Sequence, residues 1–554
     1  MSTNIITIAM VAIKAALALL GLIIFASCFL SMRNQTRGKG ALVILQNPKG
    51  RQEYPVLFWE NSIGRSKSCD IFVDDSTVSR DHAVLFRRKK GWFVSDTHSK
   101  SGVFLNGEKI RGKAKIGIGD TISIGNTKLI LRKSSDSREI SSNSEPALTT
   151  PRSIKSARKL FLVTLFFALI LTQTVIEGQF VNLLAMAPVL AFIAFSWMFF
   201  AISIFIIKRP TFELETLAIF LSGVGLTLIS YANPDEAYLQ LATICIGMVL
   251  FCLIIWFIKN PDLASKMRFL IAILAIALFI FNLIFAKEIN GARNWVRIAS
   301  FSFQPSEFIK IAFIFVGSST LDELQTTKNL TGFIAFSAIC IIFLFLMRDF
   351  GTACVFFVTF LVISFMRSGS FRTLILSCST AVLALFLILT FKPYIKDRFA
   401  VWGHVWEHVN DLGFQQTRVL TYSASGGLLG VGVGNGYLKN IFSATGDLIF
   451  GMVCEELGLI VALSIALIIA GFSFLARRQS SKSRSTFYSI ASCAAATMLV
   501  FQAALHIFGT TDILPLTGVT LPFVSHGGSS MISSFALLAF IKSADERTYA
   551  LKRN

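Results

Sequence analysis

Phe269-Leu270-Ile271-Ala272-Ile273-Leu274-Ala275-Ile276-Ala277-Leu278-Phe279-Ile280-Phe281-Asn282-Leu283-Ile284-Phe285 contains a single polar side chain, Asn282, and is flanked by Arg268 and Lys287. A helix rises about 1.5 Å per residue, so this run covers about 26 Å, near the lower limit for crossing a hydrocarbon core of about 30 Å. Comparable runs occupy 5–30, 160–177, 180–207, 211–231, 239–258, 305–320, 330–347, 351–367, 371–392, 447–476, 486–508 and 528–543. The chain has 554 residues, of which 54% are hydrophobic and only 15% charged, and Phe alone supplies 53. A soluble protein has no use for so much apolar surface. The expected fold class is therefore a polytopic α-helical membrane protein with about 13 transmembrane helices.

The formal net charge is +20, yet nucleic acid is not the expected partner. Lys and Arg gather on cytoplasmic loops of membrane proteins. With the N-terminus outside, Lys208-Arg209, Lys259 to Arg268, Arg367 to Arg372, Arg477 to Arg484 and Lys542 to Arg553 all fall on the cytoplasmic side. The same arrangement leaves 287–304 and 393–446 outside. The first run is broken only by Lys14 and lacks a basic leader, so it reads as an anchor (residues 1–31) and not as a cleaved signal. Phe25-Ala26-Ser27-Cys28 faintly resembles a lipoprotein cleavage site, but Arg33, Arg37 and Lys39 follow at once and favour a cytoplasmic flank. The nine cysteines are scattered, several within apolar runs. They show neither a disulfide framework nor metal-ligand spacing.

Residues 40–133 change character. Short alternating strands such as Leu42-Val43-Ile44-Leu45 and Trp92-Phe93-Val94 are separated by turns at Asn106-Gly107 and Gly119-Asp120, which reads as a small all-β sandwich. Residues 134–158, rich in Ser, Pro and charge, read as a flexible linker. Two further helices are expected in 159–208, a membrane core in 209–545, and a basic cytoplasmic tail in 546–554.

Gly64-Arg65, Ser79-Arg80-Asp81-His82, Ser99-Lys100-Ser101-Gly102 and Leu105-Asn106-Gly107 resemble the signature of a forkhead-associated (FHA) domain, a phosphothreonine-peptide reader, over about 90 residues. The resemblance implies that Arg65 and Ser79 hold the phosphate, that Arg80 assists, and that His82 braces the loop. Guanidinium and hydroxyl donors suit a dianionic phosphate. Ser101 stands where the family usually has an Asn that contacts the bound peptide. The implied partner is a phosphothreonine protein or a Ser/Thr kinase, and Thr149-Thr150-Pro151 in the linker is a candidate phosphosite.

Four stretches of the membrane half resemble the SEDS family (shape, elongation, division and sporulation), which includes the rod-shape and division glycan polymerases. They are Gly291 to Trp295 with Phe301 to Lys310; Arg348-Asp349-Phe350-Gly351-Thr352; Gly413-Phe414-Gln415-Gln416 with Ser425-Gly426-Gly427, Asp447 to Phe450 and Glu455-Glu456-Leu457-Gly458; and Thr517 to Ser530. The matches run from about 211 to 543 and take in about ten of the expected spans. The resemblance implies an inverting peptidoglycan glycosyltransferase. A sugar hydroxyl of one lipid II attacks the anomeric carbon of another, and undecaprenyl pyrophosphate leaves.

That chemistry needs a base for the hydroxyl proton and cations for the departing pyrophosphate. Asp411, the nearest carboxylate before Gly413-Phe414-Gln415, is the expected base, with Glu407 the fallback. Arg293 and Arg418 are candidate pyrophosphate partners. Glu307 and Lys310, spaced i,i+3, are expected to line the central cavity as a pair. Ser525 and His526 lie in a Gly- and Pro-broken loop expected to face substrate, where His526 replaces a usual Tyr. Glu456 reads as a buried structural acid. No metal site is visible, although the family's activity is associated with a divalent cation (Mg or Mn). A class B penicillin-binding protein is the implied partner, supplying transpeptidation. The competing readings are a lipid II flippase and a non-enzymatic, phospho-dependent cell-division scaffold.

Overall fold

The computed structural model describes residues 3–544, apart from 34–40, 135–150, 177–182, 320–326, 383–400 and interruptions of one to three residues. Helix α1 (Thr3–Arg33) precedes eleven strands: β1 (Val43–Gln46), β2 (Glu53–Val56), β3 (Glu60–Gly64), β4 (Ile71–Phe72), β5 (Ala83–Arg88), β6 (Gly91–Asp96), β7 (Val103–Leu105), β8 (Glu108–Lys109), β9 (Lys113–Ile116), β10 (Thr121–Ile124) and β11 (Thr127–Lys133). These form two facing sheets of order β2-β1-β11-β10-β7-β8 and β4-β3-β5-β6-β9. Alternate residues turn inward, so Leu45, Ile63, Leu85, Val94, Ile122 and Leu131 make one dry core. Asn106 and Gly107 both have positive φ (51° and 93°), the backbone a two-residue hairpin turn between β7 and β8 requires.

The helices follow: α2 (Pro151–Ile176), α3 (Leu183–Ala201), α4 (Glu213–Ala232), α5 (Pro234–Ile258), α6 (Pro261–Phe285), α7 (Pro305–Ser318), α8 (Thr327–Leu346), α9 (Phe350–Ser368), α10 (Phe414–Ser425), α11 (Ile449–Leu457), α12 (Leu459–Lys482), α13 (Thr486–Thr510) and α14 (Gly528–Ser543). Among the described residues, nine helices are long and apolar enough to cross a membrane, and Thr331–Leu346 and Gly528–Ser543 are shorter apolar helices. The chain is thus a multi-pass membrane protein. The helices start where the sequence permits: Pro234 and Pro305 open α5 and α7, where a missing N–H costs nothing, and Asp235, Glu236 and Glu307 lie in the first turns, where the helix dipole favours carboxylates.

Two details depart from the expected layout, and two segments expected outside the membrane take a definite form. The single span 447–476 is two helices, α11 and α12, broken at Gly458, whose φ of +86° no L side chain adopts comfortably. Helix α2 begins at Pro151, inside the stretch read as linker, because Pro presets the first helical φ. The connection 287–304 is a three-stranded meander, β12 (Lys287–Ile289), β13 (Ala292–Ile298) and β14 (Phe301–Phe303). Residues 401–446, expected outside the membrane, contain no membrane-length helix, and the expected span 371–392 lies largely outside the described residues, as do Thr149 and Thr150.

The added N-terminal helices are built into the bundle. On α1, Ser31 donates to Glu213 at 2.9 Å, and Lys159 of α2 pairs with the same carboxylate at 2.9 Å. Lys14, the charge that interrupts the first apolar run, donates to the Val431 carbonyl at 2.9 Å. Lys542 pairs with Glu215 at 2.9 Å and also reaches Thr211. Close approach continues across the core: a Cβ on Gly225 would stand 2.0 Å from the Val524 carbonyl oxygen. The sandwich, Glu213 and Lys542 mark one end of the bundle. The meander, residues 401–448 and residues 511–527 mark the other, joined there by Arg293 N–H to Met347 O and Trp402 Nε1 to Ile513 O.

Candidate functional site

In the sandwich, the loop after β3 leaves Arg65 exposed, with its N–H donating to Ser79 O at 3.0 Å. Arg80 and Ser101 are also exposed, and Ser79 is half-buried. His82 is fully buried. Its Nδ1 accepts the Ser79 N–H at 2.9 Å and its Nε2 meets Gly102 O at 3.1 Å, so the ring ties two loops together and acts as a brace. Ser79 Oγ accepts the Lys100 N–H at 3.1 Å. The arrangement gathers hydroxyl and guanidinium donors on one loop surface, the chemistry a phosphate needs. Asp75, below this surface, is held under the usual carboxylate range by hydrogen bonds from Thr77 and Thr127.

Within the bundle lies a buried polar centre. Lys310 Nζ meets Glu307 Oε1 and Gln502 Oε1, each at 2.7 Å. Ser533 donates to the second Glu307 oxygen, and Gln502 Nε2 donates to Thr520 O at 2.9 Å. The spacing of Glu307 and Lys310 therefore produces the expected pair. Only a fully hydrogen-bonded pair tolerates such burial, because an isolated charge there costs several kcal/mol. Asp349, at the turn before α9, gathers Gln304 Nε2 at 2.9 Å, Asn294 Nδ2 at 3.4 Å and the Thr352 N–H at 3.2 Å. Gln304 N–H in turn donates to Ser529 Oγ at 3.0 Å, tying the end of the meander to the start of α14.

The remaining candidates stand at the end away from the sandwich. Asp411 and Glu407 are exposed. Asp411 Oδ2 lies 3.2 Å from His408 Nδ1, and that hydrogen bond holds the carboxyl below its ordinary range. Arg418 stacks over Phe414 with its guanidinium carbon 5.2 Å from the ring centroid. Arg293 and Arg348 both pair with Glu288, each at 3.2 Å, on an exposed surface. Ser525 is buried and structural in its contacts: Oγ donates to Gly446 O at 2.7 Å and accepts the Leu521 N–H at 2.8 Å. His526 Nδ1 lies 3.3 Å from Glu236 Oε2. Glu455 and Glu456 are buried and accept the Tyr437, Leu438 and Gly434 N–H groups, so this acid pair pins the glycine-rich turn 430–438.

Of the residues singled out in the sequence, the structure joins Glu307 with Lys310, and it leaves Asp411, Arg293, Arg418 and Ser525 in separate groups of contacts. Sequence reasoning missed His408, Gln502, Arg348, Glu288 and Asp512. Asp512 neighbours His404, and burial raises its carboxyl above the ordinary range. His408 carried a readable signal, its i,i+3 spacing from Asp411; Gln502 carried none.

Such a fold, a membrane bundle with a buried ion-paired centre and an FHA-type sandwich seated at one end, defines a polytopic membrane protein carrying a peptide-reading module. Residues 220–550 match the cell cycle protein family FtsW/RodA/SpoVE, and residues 61–125 match the FHA domain. The chain belongs to the FtsW/RodA/SpoVE family and carries an FHA domain. It is 29% identical over 348 residues to the probable peptidoglycan glycosyltransferase FtsW of Wigglesworthia glossinidia brevipalpis, covering 59% of this chain and 91% of that one. It is 24% identical over 351 residues to the peptidoglycan glycosyltransferase RodA of Mycobacterium bovis, covering 58% and 75%. Its fold is similar to a chain of a solved peptidoglycan synthase complex, with a TM-score of 0.52 and 21% identity over 61% of this chain and 98% of that one.

Proposed function

We propose that this chain is a peptidoglycan glycosyltransferase that polymerises lipid II at the outer membrane face, with a cytoplasmic FHA module that reads phosphothreonine. What carries the reading is the exposed Asp411 carboxylate on a hydrogen-bonded loop in a chain whose curated relatives bear that enzyme's name. Asp411 takes the proton of the acceptor hydroxyl as the new C–O bond forms at the donor's anomeric carbon. The bond from that carbon to the pyrophosphate oxygen breaks, and undecaprenyl pyrophosphate leaves with its electron pair. Attack from the face opposite the leaving group inverts the configuration. Arg293, Arg348 and Arg418 supply positive charge for the pyrophosphate. Ser525 positions the final loop through its bond to Gly446, and His526 does so through Glu236. Among the described residues no group of three potential metal ligands gathers, so no step is assigned to a divalent cation.

In the same reading the basic loops, the sandwich and the C-terminus face the cytoplasm, and residues 401–448 face outward. A class B penicillin-binding protein supplies crosslinking, and a Ser/Thr kinase supplies the mark that Arg65, Ser79, Arg80 and Ser101 recognise. The boundaries that go with it are an anchor at 1–31, an FHA unit at 40–133, and a glycosyltransferase core at 209–545.

The test is polymerisation of purified lipid II by the full chain, alone and with its penicillin-binding partner. Asp411→Asn is expected to lower the yield at least a hundredfold, within the range a general base contributes, while Glu407→Gln retains activity. Unchanged polymer from Asp411→Asn would reject the base. Movement of lipid II across vesicles without polymer from the wild type would identify a flippase, and neither activity would leave the scaffold reading.

A further inference from the structure

Trp59 and Glu60 stand at the start of β3, and their side chains reach the membrane bundle. Trp59 lies against the hydrophobic core of the membrane bundle and not against the sandwich core, and its ring stands edge-on to Tyr488 of α13 at 6.3 Å. Glu60, only 2% exposed, accepts the Thr486 N–H at 3.1 Å. That N–H is among the four donors a helix leaves unpaired at its start, and the dipole there favours a carboxylate. Tyr488 Oη donates to Ile258 O at 2.8 Å, so the end of α5 joins the same seat.

Two stiff elements lead away from this seat. Strand β3 begins at Glu60 and is buried along its whole length. It delivers Arg65 directly to the loop it shares with Ser79, about 16 Å from the seat at the rise of a strand. In the other direction α13 begins at Thr486 and carries Gln502 to Lys310 at 2.7 Å, about 24 Å along the helix.

We propose that β3 and α13, butted together through Trp59 and Glu60, form the route by which occupancy of the Arg65–Ser79 loop changes the setting of the Glu307–Lys310–Gln502 centre. The inference rests on the phosphothreonine reading above and adds the path of the signal. A binding event at the loop braces β3, β3 bears on the first turn of α13, and α13 carries a side chain of the polar centre. Coupling of this kind is reciprocal in free energy, so changes at the centre register at the loop as well.

Hydrogen–deuterium exchange on the full chain in nanodiscs tests it, using as probe a degenerate peptide pool with one fixed phosphothreonine. Without peptide, Glu60→Gln and Trp59→Ala are expected to speed exchange at amides 486–489 roughly tenfold, the scale of one lost hydrogen bond to a charged group. Trp59→Ala leaves the sandwich core intact, so the FHA amides serve as the folding control. With peptide, wild type is expected to slow exchange both in the loops 64–66 and 79–82 and at 486–489, while Glu60→Gln keeps the loop protection and loses the response at 486–489. Unchanged exchange at 486–489 in both variants overturns the seat. Loop protection without any response at 486–489 in wild type overturns the coupling and leaves phosphothreonine reading standing. No loop protection overturns the phosphothreonine reading, and this proposal with it.

Discussion

At the scale of single residues, the two acids most exposed to scrutiny behave in opposite ways. Asp411 sits in water with a histidine on one oxygen, and Glu307 sits in the bundle with a lysine and a serine on its two. The lowered pKa of Asp411 means that it gains its proton at a lower pH than it would without the His408 hydrogen bond. The acid limb of the polymerisation rate should therefore lie lower in wild type than in a protein lacking that bond. It should move up in His408→Ala, which removes the hydrogen bond favouring the anion. A rate profile against pH that is identical in the two proteins would show that His408 does not set it. For the buried pair, Lys310→Met should cost about 3–5 kcal/mol by stranding Glu307, and Glu307→Leu with Lys310→Met should recover most of it. Thermal unfolding in detergent reads both. Residue-scale legibility followed sequence distance. The i,i+3 pair was readable because one helix turn fixes it. Gln502 is 192 positions from Lys310, and nothing short of the folded bundle brings them together.

At the scale of elements, periodicity and caps were informative and interruptions were not. The largely apolar stretches on either side of Gly458 look like one span, since one glycine inside a helical pattern is ordinarily tolerated. Here its neighbours demand a break: a Cβ at Gly458 would lie 2.4 Å from the Leu428 carbonyl oxygen, and its backbone has positive φ. Gly458→Ala should cost about 1–3 kcal/mol from backbone strain alone, seen as a lower melting temperature with α11 amides exchanging first. The acids of α11 hold the turn 430–438, and Lys14 of α1 holds the same turn from the other side. Lys14→Met should loosen the turn, so amides 430–436 should exchange severalfold faster while the sandwich is unaffected. Equal exchange would mean that the lysine merely finds a convenient carbonyl.

For the whole molecule, composition and recurring apolar runs gave the class, and alternating strands marked the sandwich. The way the two halves meet was hidden. Neither Trp59 nor Glu60 looks unusual beside other strand residues, and an exposed carboxylate on a sheet is the ordinary expectation. Arg65→Ala should abolish phosphopeptide binding with polymerisation by the purified chain intact, a separation measured by peptide affinity and lipid II turnover on one preparation. The opening helices have a more lasting effect. Glu213, at the start of α4 and just ahead of the matched family region, takes its lysine and its serine from α2 and α1. Cutting the chain back to residue 209 would take both hydrogen-bonding partners from a carboxylate that the bundle buries, so the opening helices are part of what holds this end together.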